Sequence, residues 1–183
     1  SGYMVMENDF WGYGYPSIEE AIRVLTSHEL FHAVQAAYNA EQPVWISEGM
    51  AVWAEWAYDA QAQDFYAFSQ AYLEEAHRSI HRPPAGMTTA FSYGTALFFA
   101  FLEEYVGGHP MPSIQETLSD RPDEEAIALV LEQLESVEEG WLTFAQWNLA
   151  TGSRSGAAES YSFASRLEGV VAEAEGSIIQ ENH

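Results

Sequence analysis

His28 and His32 stand four positions apart in the run His28-Glu29-Leu30-Phe31-His32, and Glu48 follows in Trp45-Ile46-Ser47-Glu48-Gly49-Met50-Ala51. On a helix, residues i and i+4 share a face about one turn apart, so the two imidazoles can converge on one ion. Glu29 then sits beside that ion without binding it, and Glu48 is the candidate third ligand. Two imidazoles and a carboxylate suit one tetrahedral Zn2+ with its fourth position left to water, and Co2+ or Mn2+ can use the same donors. Zinc brings the pKa of a bound water down to about 7, where a neighbouring carboxylate can take its proton. The spacing therefore points to metal-assisted hydrolysis, with His28, His32 and Glu48 as ligands and Glu29 as general base.

Such convergence requires two elements, one for each half of the ligand set. Residues 18–38 carry helical periodicity, with Ile22, Leu25, Leu30, Phe31, Val34 and Tyr38 among the apolar positions. Ser17 and Glu20 have the spacing of a capping box at its start. A loop over Asn39 to Pro43 reverses the chain, and an apolar segment from Trp45 to Trp56 returns as a second helix bearing Glu48. Glu55, seven positions after Glu48, falls near the same helix face two turns on. There it can accept the free N–H of a metal-bound imidazole, which fixes the ring.

With these residues in view, the chain resembles the gluzincin zinc metallopeptidases, which carry HExxH on one helix and a glutamate ligand in an EGxA-type sequence on the next. Residues 28–35 (HELFHAVQ) and 45–55 (WISEGMAVWAE) are most similar to secreted bacterial metallopeptidases with HEFFHAVQ-like helices. The similarity continues through Glu7-Asn8-Asp9-Phe10, Tyr93-Gly94, Phe144-Ala145-Gln146-Trp147-Asn148 and Thr151-Gly152. The resemblance implies that His28, His32 and Glu48 bind zinc, that Glu29 is the base, that the substrate is a peptide or protein, and that the protein is secreted. Sixteen positions separate His32 from Glu48, a shorter link than in the aminopeptidase-type members. In those enzymes a tyrosine three positions before a glycine hydrogen-bonds the oxyanion; here Tyr93 directly precedes Gly94, in a similar context. The resemblance makes Tyr93 the candidate donor to charge that develops only in the transition state. Met6-Glu7-Asn8 echoes three residues of the amine-binding motif of the same enzymes. So short a match favours an endopeptidase over an aminopeptidase, with Tyr3 to Asn8 read as an edge strand.

The expected fold is mainly α: zincin-like active-site helices in one helical domain over residues 1–183, with at most a short N-terminal β element. After the first two helices, the pattern predicts helices over 60–80, 92–105, 112–119 and 123–135, followed by an aromatic-rich segment over 141–149. Ile127, Leu131 and Leu134 form one side of the helix over 123–135, and Trp141, Phe144 and Trp147 are read as core. A Gly- and Ser-rich loop over 152–160 precedes a last weak helix. His77, His81 and His109 lack ligand spacing and are read as surface residues. Ser1-Gly2 reads as the remnant of a cleavage or cloning step, which leaves room for a signal peptide upstream and for a longer precursor.

At 183 residues and 48% hydrophobic, the chain can bury one sizeable core. It has 28 acidic residues, six arginines and no lysine, for a net charge of −22. That charge repels nucleic acid and anionic membrane surfaces, and it suits a protein kept soluble outside the cell or in high salt. No apolar run is long enough for a membrane span. With no cysteine, thiolate ligands and disulfides are excluded. The other functional class the sequence allows is a non-catalytic binding or scaffold protein that keeps a metallopeptidase fold and its metal. An intact Glu29 favours the enzyme, because a structural zinc site has no use for a base and fills its fourth position with protein.

Overall fold

The computed structural model describes residues 14–85, 88–122, 124–156 and 159–170. They form a mainly helical fold with no strand among the described residues. The edge strand predicted over Tyr3 to Asn8, and the Met6-Glu7-Asn8 echo, lie outside the described residues.

The first helix, α1 (Ile18–Tyr38), begins where Ser17 Oγ accepts the amide of Glu20 at 3.2 Å, half of the predicted capping box. The second, α2 (Val44–Tyr58), follows the predicted loop, with Pro43 at its N-cap. Cross-helix pairs give the register: Arg23 with Asp59, His28 with Glu55, and Gln35 with Ser47. As the first number rises the second falls by nearly the same step, which is the signature of an antiparallel hairpin. The helix predicted over 60–80 is shorter, α3 (Gln63–Glu74). Turns closed by Glu75 N–H to Tyr72 O and Arg78 N–H to Glu75 O replace its last part and bring Ile80 into the core.

The apolar segment predicted over 92–105 divides into α4 (Ala90–Gly94) and α5 (Ala96–Val106). At the junction, buried Thr95 places Oγ1 2.6 Å from the carbonyl oxygen of Trp45 and 2.7 Å from that of Ser92, competing with a continuous helix. Residues 96–102 of α5 are fully buried, so this helix is apolar all round and forms the centre of the core. Then come α6 (Pro110–Asp120), with Pro110 in its first turn, α7 (Ala126–Leu131) and α8 (Val137–Leu149). The helix predicted over 123–135 is only α7: Leu129 and Val130 are buried, and Leu134 reaches the core from the turn beyond. On α8, Phe144 and Trp147 are core as expected and pack with Phe101, but Trp141, predicted as core, is exposed, with its ring edge against Phe98. The loop over 152–160 holds one 3-10 turn (Gly152–Arg154), and a second (Ala164–Arg166) stands in the described part of the predicted last helix.

The buried face of α1 is not its apolar face. Ala21, Val24, His28 and Gln35 point inward, while Ile22, Leu30, Val34 and Tyr38 are exposed. Two of the four buried positions are thus polar, and both belong to the site.

Candidate metal centre

The antiparallel hairpin brings His28 and His32 on α1 opposite the first turns of α2. His28 Nε2 and His32 Nε2 lie 3.1 Å apart, and Glu48 Oε2 is 3.3 Å from the first and 3.4 Å from the second. A tetrahedral ion with bonds of about 2.0–2.1 Å spaces its ligands about 3.3–3.4 Å apart, so the triangle is the right size for one face of a zinc coordination sphere. Among the described residues, these three form a group of side chains able to hold a metal ion.

The hydrogen bonds behind the rings strengthen the fit. Glu55, only 2% exposed, accepts from His28 Nδ1 at 2.6 Å, a contact its spacing allowed. Gln35 Oε1 accepts from His32 Nδ1 at 2.8 Å. With both Nδ1 atoms donating outward, neutral rings turn two Nε2 lone pairs toward each other across 3.1 Å. Such an arrangement is repulsive unless a cation lies between them, and either a metal ion or a proton meets that need.

Without a metal, the carboxylates hold protons on the cluster. Burial disfavours the imidazolium of His28, but hydrogen bonds to Glu48 and Glu55 outweigh it and raise its pKa to about 9. His32 is raised mainly by its contact with Glu48. Burial also opposes the charge of Glu48, yet hydrogen bonds from His28 and His32 bring it down to about 2. For Glu55 burial prevails and pushes the carboxyl up to about 7, against the pull of His28.

Glu29, one residue beyond His28, is exposed on α1 and takes no part in the ligand triangle. The Tyr93 ring, at 6.1 Å from that of His28, stacks on Phe68 at 4.8 Å and is partly exposed. Burial raises its phenol, reinforced by the carboxylates of Glu48, Glu29 and Glu55. The tyrosine therefore stands beside the His28, His32 and Glu48 cluster and near the Glu29 carboxylate. His77, His81 and His109 are exposed, as predicted, and stand outside the group of side chains able to hold a metal ion.

Two glycines set these distances. A Cβ on Gly49, the residue after Glu48, would meet Thr95 Oγ1 at 2.1 Å, so the glycine lets α2 lie directly on the α4–α5 junction. A Cβ on Gly94, the residue after Tyr93, would meet the Phe68 carbonyl oxygen at 2.2 Å. Sequence reasoning passed over Gly49, Thr95 and Gln35 as parts of the site. The available signal for Gln35 was its position three residues after His32, one turn along the same face.

Comparison with protein-family profiles, with curated proteins and with solved structures finds no match. No helix among the described residues is long and apolar enough to cross a membrane.

Proposed function

We propose that this protein is a zinc-dependent peptidase of the gluzincin type. The observation that carries the reading is the triangle of His28 Nε2, His32 Nε2 and Glu48 Oε2, with sides of 3.1–3.4 Å, beside a glutamate that is not a ligand. Zinc, when bound, supplies a Lewis acid that polarises a carbonyl and acidifies water. Glu29 takes the proton from the attacking water and returns it to the leaving amine. Tyr93 donates its hydroxyl hydrogen to the substrate carbonyl oxygen as negative charge develops there. Glu55 and Gln35 hold the two rings with Nδ1 protonated and Nε2 free. Internal bonds of a peptide or protein are the proposed targets, and secretion goes with the same reading.

The test separates metal from chemistry. Purified protein should take up one zinc per chain, and His32→Ala should take up none. Glu29→Gln should keep the zinc while casein or peptide-library hydrolysis falls at least about 100-fold, the scale of a lost general base. Hydrolysis by the glutamine variant at the wild-type rate would remove Glu29 from the role of base, and a wild-type chain that takes up no zinc would end the peptidase reading.

A further inference from the structure

Gln35 is 3% exposed and makes two hydrogen bonds in opposite directions. Its Nε2 donates to the backbone carbonyl of Ser47 at 3.1 Å, and its Oε1 lies 2.8 Å from His32 Nδ1. The carbonyl of Ser47 can only accept, so the amide nitrogen must face it. That turns the amide oxygen toward His32, and His32 Nδ1 must then carry the hydrogen. The lone pair of the ring is left on Nε2, which faces His28 and Glu48.

From this chain of hydrogen bonds we infer that Gln35 is a positioning residue for the metal centre, fixing two ligands at once. It holds His32 in the Nδ1–H form, and it ties α1 to the backbone of Ser47, the residue directly before Glu48. The inference rests on the metal-binding reading proposed above. Chemistry explains the choice of side chain: His32 Nδ1–H needs an acceptor, the Ser47 carbonyl within α2 has a second lone pair open to a donor, and a carboxamide serves both on one rigid plane. Glutamate would face the carbonyl with a second oxygen, and leucine would leave His32 Nδ1 only the distant Ser47 hydroxyl, 3.4 Å away. His28 is served differently, because the partner of its Nδ1 is the carboxylate of Glu55. The two rings therefore have one anionic and one neutral support, which limits the negative charge gathered behind the ion.

The probes are Zn2+, titrated in competition with a chromophoric chelator, and the downfield Nδ1–H proton signal of His32 in metal-free protein. That signal survives whether the ring is neutral or protonated, so it reads the hydrogen bond independently of the metal. In Gln35→Leu, with helicity unchanged, zinc affinity should fall about 10- to 100-fold, as for other supports of ligand histidines, and the His32 signal should disappear. Gln35→Glu restores the acceptor and should restore the signal, with affinity within about 10-fold of wild type. A folded leucine variant that keeps both the signal and the affinity would overturn the inference. If the leucine variant does not fold, the glutamate variant decides, and loss of its His32 signal counts against the role. A wild-type chain that failed to bind zinc would refute the metal reading, while the metal-free signal and its loss in Gln35→Leu would still decide what Gln35 does.

Discussion

At the scale of single residues, the site separates groups that touch reacting atoms from groups that hold those groups still. Tyr93 belongs to the first set in the proposed mechanism, since its ring lies against His28 and senses Glu29 and Glu48. Its hydroxyl would matter more in the transition state than in binding. Tyr93→Phe should therefore lower kcat by roughly 10- to 1000-fold with KM nearly unchanged and zinc content intact, as steady-state kinetics would show. An undiminished kcat would leave Tyr93 as packing for Phe68. Glu55 belongs to the second set. Glu55→Gln keeps an acceptor for His28 Nδ1 but removes the buried charge, so zinc affinity should drop by about 10-fold while the fold is retained, measured by chelator competition.

Helices place these residues, and here the sequence was legible unevenly. The bounds of α1 and the loop after it follow from Ser17, from the apolar spacing, and from Asn39 to Pro43, all local signals. The convergence of His28, His32 and Glu48 was legible for the same reason, since these residues lie on one helical hairpin. What could not be read locally is how the hairpin meets the rest of the core. Periodicity marked Ile22, Leu30 and Val34 on α1 as apolar, yet the buried face is the one bearing His28 and Gln35, because α2 presents Ser47 and Glu55 to it. The run over 92–105 looked like one helix because nothing in it reveals that Thr95 will find the Trp45 carbonyl, fifty residues away. The Gly49–Thr95 contact follows from that break and can be tested. Gly49→Ala would overpack the junction by a methyl group and should cost about 1–3 kcal/mol in chemical denaturation. It should weaken zinc binding too, because Glu48 is the adjacent residue. Adding Thr95→Ala removes the nearest clashing atom, so the double variant should be less destabilised than the sum of the single ones.

For the molecule as a whole, the cluster makes stability depend on pH in a direction that a metal should reverse. His28 has a folded pKa of about 9, above its ordinary 6.5, so its contribution is complete below about 6.5 and is lost as pH rises through 9. Glu55, raised to about 7, adds a loss that begins lower, as pH climbs from about 4.5. Glu48 acts oppositely: held at about 2, it contributes above about 4.5 and loses that contribution as pH falls through 2. Metal-free protein should accordingly show a melting temperature that declines between pH 5 and 9. Zinc replaces the protons on the imidazoles, so its affinity should rise over the same interval and the stabilisation it gives should grow with pH. Scanning fluorimetry across this range, with EDTA and with zinc, checks both slopes. A metal-free melting temperature that climbed steadily toward pH 9 would contradict the proton-holding role of the cluster.

The antiparallel register of α1 and α2 also bears on how the centre comes together during folding. His28, His32 and Glu48, with Gln35 and Glu55 behind the rings, all fall within residues 28–55, so the loops that close on forming the cluster are short and the entropy lost in closing them is small. A site of such low contact order can assemble as soon as the hairpin does, ahead of the slower docking of distant helices. It is also portable. Moved into another helical scaffold, the segment would carry its ligands and their supports with it, and would ask of its host chiefly a neighbour that leaves room where Gly49 now meets Thr95.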